Sequence, residues 1–255
     1  MSRWPADLLR IALTPGEAAL LRPGGTSASR VLATDERASS SLLPLLDDAL
    51  ADPAWRSRRV EVVLSQHFVR HVLTPPPGKA LSRAEERALV EASLRDIYGD
   101  EARQWNVQVL GQPPRHGLVG AAVDADFIRQ LDALLARHGF RNVTIRPLAS
   151  YAARRLPVRL SGWWVLAEPG WLTLFGSAEG AWLHLAGQPV GDDWTETLSD
   201  LLAHEAGLTM HPIPSAAWVQ AVGTVMPGRP DDDGTHWQIL PHDAESRGAL
   251  ALAGI

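Results

Sequence analysis

Residues 162–185 read GWWVLAEPGWLTLFGSAEGAWLHL. Apolar runs broken at Pro169–Gly170 and again at Gly180 predict three short strands, Gly162–Glu168, Trp171–Gly176 and Ala181–Leu185. A Pro-Gly pair between two strands gives a fixed φ and then a residue that accepts positive φ, as a tight turn needs. The same plan stands near the start of the chain. Leu9–Thr14 and Glu17–Arg22 predict a hairpin about Pro15–Gly16, and Val31–Thr34 a third strand. A helical pattern follows each trio, Ser39–Ala51 after the first and Trp194–Ala206 after the second. Pro44 is tolerable because it falls in the first turn of its helix.

One plan used twice predicts an α/β protein of two lobes, each a mixed sheet with flanking helices. The break is expected near Pro157–Gly162, with residues 1–157 in the first lobe and 158–255 in a second, smaller one. The first lobe carries more. Arg59–Leu64 and Phe68–Leu73 predict a second pair of strands. Ser82 with Glu85 makes a capping box for a helix that stops at Gly99. Trp105–Leu110 and Leu118–Val123 read as strands, Asp124 caps a helix over 125–138, and Val143–Arg146 is a strand before a short helix over Leu148–Leu156. In the second lobe, Asp192 or Asp193 caps the helix at Trp194, Leu208–Ile213 reads as extended and Ala216–Val222 as a short helix. The tail after it is expected to be irregular apart from a small strand over Gln238–Leu240.

Composition narrows the function. With 45% hydrophobic and 21% charged residues in 255, the chain suits a soluble globular protein with a sizeable core. A net charge of −5 argues against nucleic acid as the main partner. The absence of cysteine excludes disulfides, thiolate metal sites and a cysteine nucleophile. The first 21 residues are broken by Pro5, Asp7, Arg10 and Glu17, unlike a signal peptide. No window holds about 18 apolar residues in a row, and ALALAGI at 249–255 is far too short to span a bilayer. A cytoplasmic protein is expected.

The side chains that carry chemistry elsewhere fall into weak patterns here. His67 and His71 have helix-like metal spacing, but on a strand four residues span about 13 Å, too far for one ion. His204, Glu205 and His211 are interrupted by Gly207, and Asp231–Asp233 lacks the spacing of a calcium loop. None of Ser65, Ser161 and Ser177 sits in a G-x-S-x-G turn. No metal, cofactor or catalytic residue is therefore assigned. Two features remain as candidates for contact with a partner protein. Arg154 and Arg155 form a small basic cluster with Arg159 at the lobe junction. Trp163, Trp164 and Trp171 belong to a chain with ten tryptophans against two tyrosines, and adjacent Trp163 and Trp164 must face opposite sides of their strand.

Residues 62–109 and 118–155 resemble the first lobe of small actin-like proteins of bacterial pilus and secretion machines, the PilM type and the cytoplasmic domain of GspL. Ala121, Ala122, Val123, Leu131, Leu134, Gly139 and Pro147 carry the likeness, which with the second-lobe hairpins extends over roughly residues 8–212. It implies an actin-like, ribonuclease H-like fold. Active members of that fold hold nucleotide phosphates between two hairpins, each with an acidic residue followed by glycine. Here the first hairpin has Thr14–Pro15 at that place and the second has Glu168–Pro169, with Trp171 crowding the loop. Proline has no N–H to give a phosphate. The resemblance implies a non-catalytic scaffold of a type IV pilus or type II secretion-like inner-membrane complex. Its partner would be an inner-membrane assembly protein with a short cytoplasmic segment, or an assembly ATPase. Such a chain, without its own membrane helix, would reach the membrane through that partner. A nucleotide-binding ATPase with degenerate hairpins and a small hydrolase of another fold remain the alternatives.

Overall fold

Strands β1 (Leu8–Thr14) and β2 (Glu17–Leu21) pair antiparallel across the two-residue turn Pro15–Gly16. Gly16 takes φ +82, which a side chain would resist. β3 (Ser29–Ala33) extends the sheet beyond β2. On the other side of β1, β4 (Arg59–Leu64) and then β8 (Asn142–Pro147) add in parallel, giving the order β3-β2-β1-β4-β8. The structure, a computed structural model, describes residues 8–23, 28–35, 41–209, 212–224, 237–240 and 247–254.

The second half repeats this sheet strand for strand. β9 (Gly162–Glu168), β10 (Trp171–Ala178) and β11 (Ala181–Pro189) form an antiparallel trio. β12 (Ala217–Ala221) and β13 (Trp237–Ile239) then add in parallel beside β9, in the order β11-β10-β9-β12-β13. Two mixed sheets of identical order make this a duplicated α/β fold.

Helices α1 (Leu42–Leu50) and α3 (Ala125–Arg137) cover one face of the first sheet, burying Leu9, Ile11, Leu13, Val62 and Leu131 in one core. Helix α5 (Trp194–Gly207) covers the outer face of the second, over Trp163, Val165 and Leu174. Between the two sheets lie α4 (Leu148–Ala152) and α6 (Gly248–Gly254), in a core that joins Ala12 and Ala19 of the first sheet to Trp164 and Phe175 of the second. The small side chains of Ala12 and Ala19 let α6 approach closely. Arg10, itself buried, donates to the Ala253 carbonyl at 2.9 Å and pairs with Glu61 at 3.2 Å.

A third sheet, β5-β7-β6, is inserted in the first half. It comprises β5 (Arg70–Leu73), β6 (Trp105–Leu110) and β7 (Val119–Asp124), all antiparallel, and packs on α2 (Arg83–Tyr98). The Ser82–Glu85 capping box forms as predicted, and the Asp124 side chain accepts from Phe127 N–H at 2.8 Å.

Four expectations are corrected. Ala216–Val222 is not a helix but contains strand β12; it is hydrogen-bonded between β9 and β13, and both faces of its sheet are covered. β4 and β5 do not pair: the turn over Gln66–Phe68 sends β5 into the inserted sheet. The Asp193 side chain makes no capping bond at α5. Gly248–Gly254 is helical where the tail was expected to be irregular, and this helix, α6, packs on β1 and β2.

Candidate functional site

In open α/β sheets ligands collect at the carboxyl ends of parallel strands. Here the ends of β1 and β4 from one half meet the end of β9 from the other. Ser65 N–H donates to Leu13 O at 2.9 Å, holding the turn over Gln66–Phe68 beside the first hairpin. That turn reaches across to the second hairpin. Gln66 N–H donates to Glu168 Oε1 at 2.8 Å, and His67 Nε2–H donates to Pro169 O at 3.0 Å. The His67 ring lies 5.3 Å from that of Trp171. Glu168 is buried, and burial pushes its carboxyl up to about 7 against the opposing pull of the Ser65 hydroxyl and the Gln66 N–H.

The first hairpin is occupied in the same way. Glu17 Oε2 accepts from Ala249 N–H at 3.1 Å, at the start of α6. Gly248 N–H donates to Gly223 O at 3.2 Å, so the entry to α6 sits between the end of β12 and the first hairpin. Glu168, before the second turn, and Glu17, after the first, thus both accept from the protein's own main chain.

A second concavity is open. A groove of about 770 Å³ runs between the inserted sheet, α3, β8 and α4. Val109, Leu110 and Ala121 line it on the side of the inserted sheet, and Val143 and Ile145 on that of β8. Trp164, Phe175 and Trp182 from the second half close one end. Trp164 stacks on Phe175 at 4.5 Å, and Phe175 meets Trp182 at 5.5 Å. β8 and β6 are both edge strands. Because Asn142 N–H turns inward to Arg58 O, ladder alternation turns the main chain of Val143 and Ile145 toward the open edge. Asp132 and Arg146 supply charge along the groove, and partial burial raises the Asp132 carboxyl above its usual range. The Gln112 side chain pins the inserted segment to the second half. Its amide donates to Trp182 O at 3.0 Å and its carbonyl accepts from Trp182 N–H at 2.7 Å.

The residues singled out from sequence separate. Trp163 and Trp164 do face opposite sides and each is 1% exposed, Trp163 in the core under α5 and Trp164 at the closed end of the groove. The apolar run GWWVLA was the available signal, since a strand covered on both faces lacks polar alternation. Trp171 is half-buried, with its ring against Gly187 and His67. Arg154 and Arg155 are exposed in the turn after α4, Arg154 lying 5.1 Å over the Tyr151 ring. His67 and His71 serve different contacts, the latter 2.8 Å from Gln66 Nε2. Glu205 pairs with His184 at 2.6 Å; His211 and Asp231–Asp233 lie outside the described residues. Among the described residues no three metal-binding side chains cluster, and no helix is long and apolar enough to cross a membrane. The contact of Gln66 with Glu168 and the groove itself had no sequence signal, because both join segments far apart in the chain.

No family model and no curated protein matches the chain. Solved structures do share its fold. The cytoplasmic domain of EpsL, an inner membrane component of the type II secretion system of Vibrio cholerae, superposes with a TM-score of 0.60 at 17% identity, over 97% of this chain and 92% of that one. A Bacteroides thetaiotaomicron protein with an actin-like ATPase fold and unknown function gives 0.56 at 12%, over 100% and 99%. A chain of the PilM–PilN type IV pilus biogenesis complex gives 0.55 at 13%, over 84% and 81%. The fold is thus actin-like, as the strand order indicates, and the similarity expected from the sequence is found in its structure.

Proposed function

We propose that this chain is a non-catalytic scaffold of a type II secretion or type IV pilus-like inner-membrane assembly. It would act on the cytoplasmic side and bind an extended segment of a membrane-anchored partner in the groove beside β8. The observation that carries this reading is Glu168, buried against the Gln66 N–H where an actin-like ATPase would turn its second hairpin to phosphate. With Pro15 and Pro169 lacking N–H donors and Glu17 committed to Ala249, the cleft has little left with which to hold a nucleotide.

The groove supplies the binding surface. An extended segment would pair its main chain with the open edge of β8 and place alternate side chains against Val143, Ile145 and the aromatic end. The EpsL domain belongs to an inner membrane component and the PilM–PilN structure is of a complex, which favours a membrane-anchored partner over a free metabolite. The test is titration of the purified chain with cytoplasmic peptides of single-span membrane proteins encoded beside it, read by calorimetry. Saturable binding of one such peptide is expected. A chain that binds none of them but hydrolyses ATP would overturn the proposal.

A further inference from the structure

The turn that meets the second hairpin also touches the groove. On one side Gln66 N–H reaches buried Glu168, and His67 reaches Pro169 O and Trp171. On the other, the Gln66 side-chain amide donates to His71 Nε2 at 2.8 Å, which requires a neutral imidazole. Burial favours that form, holding His71 down at about 4. The His71 ring meets Phe175 edge-on at 5.7 Å, and Phe175 stacks on Trp164. His71, Phe175 and Trp164 all line the groove. A continuous chain of contacts therefore runs from the hairpin carboxylate to the groove wall, crossing from one half of the molecule to the other.

We propose that the Ser65–His67 turn and the Glu168–Trp171 hairpin form an interlobe latch that closes the cleft without a nucleotide and, through Gln66 and His71, fixes the aromatic end of the groove. The second part rests on the groove being the binding surface. A ligand can close two lobes only by binding the closed state better than the open one. Here the protein's own groups supply that difference. Parting the lobes exchanges this hydrogen bond, and the contacts of His67 with Pro169 O and Trp171, for water, and the net loss of those contacts favours the closed arrangement.

The chain has no cysteine, so introduced thiols can report on the halves. Arg129→Cys on α3 and Glu196→Cys on α5, both exposed, carry a spin-label pair. The expected distance distribution is narrow and the same with and without Mg-ATP. It broadens in Glu168→Ala and in His67→Ala, and stays narrow in Glu168→Gln, which keeps a carbonyl oxygen for the Gln66 N–H. Should Glu168→Ala fail to fold, His67→Ala, at the partly exposed rim, carries the test alone. Hydrogen exchange on the same variants should quicken about tenfold in β5 and β10 as well as in the hairpin turn. A broad distribution in the parent pair, or an unchanged one in both alanine variants, overturns the latch. Faster exchange confined to residues 65–68 and 168–171 overturns its link to the groove. No arm measures partner binding, so a latch that fails leaves the groove reading standing, and a groove that binds nothing leaves the closure of the cleft intact.

Discussion

Gln66 N–H and Glu168 Oε1, separated by 102 residues in sequence, meet at 2.8 Å inside the protein. This contact joins the two halves where their strand ends converge. It also buries a carboxyl whose proton affinity is raised from 4.5 to about 7. Between those values the folded chain holds a proton that the unfolded chain has lost. Stability therefore falls as pH rises from about 4.5 to about 7, and the loss, on the order of 3 kcal/mol, is complete above that. Glu168→Gln removes the ionisation. In urea unfolding at pH 5 and pH 8 the variant should lose less stability over this range than the parent and should be the more stable protein at pH 8. Parallel pH slopes for the two would rule this out.

Nucleotide should leave the protein indifferent. Both hairpin carboxylates accept from the main chain, and both turns place a proline where a donor would be needed. Mg-ATP and Mg-ADP at millimolar concentration are expected to give no heat of binding and no rise in melting temperature. A reproducible rise would show that the cleft still binds nucleotide.

The tryptophans of the quoted stretch should differ sharply in weight. Trp164 is buried on Phe175 between the two sheets, and Trp164→Ala should cost about 3–5 kcal/mol in a denaturant titration. Half-buried Trp171 lies against Gly187 and His67 at the rim, and Trp171→Ala should cost nearer 1 kcal/mol. Equal costs would contradict the burial seen here.

Gly248 has φ +51, and a Cβ there would collide with the Glu17 carboxylate. Gly248→Ala should therefore destabilise by more than about 1 kcal/mol. It should also quicken exchange at α6 and along β1 and β2 against which that helix packs. Unchanged exchange there would mean that α6 is not held by the first hairpin.

Leu110 lines the groove and is 56% exposed, an apolar side chain without a structural need for burial. Leu110→Arg should weaken binding of the partner segment about tenfold or more while changing stability by less than about 0.5 kcal/mol. Full binding by the variant would move the docking surface elsewhere.

What could be read from the residues was local. The Pro-Gly hairpins, the Ser82–Glu85 box and the Asp124 cap are fixed by chemistry within a few residues, and each forms as expected. Repetition of the hairpin plan was enough to indicate two related sheets. The β12 segment misled because AWVQAV has no period long enough to separate helix from strand. The burial of Trp163 and Trp164 could not be read from alternation, which says which way a side chain points but not what covers that face.

The sequence by itself determined the duplicated α/β plan and put Pro15 and Pro169, which have no N–H, in the two hairpin turns, since backbone N–H groups and turn dihedrals belong to single residues. Only the tertiary structure decided which groups meet those hairpins. Gln66 meets Glu168, Ala249 meets Glu17, and Val143 faces Leu110 across a groove, because packing two sheets about α4 and α6 brings together segments that no spacing in the chain relates.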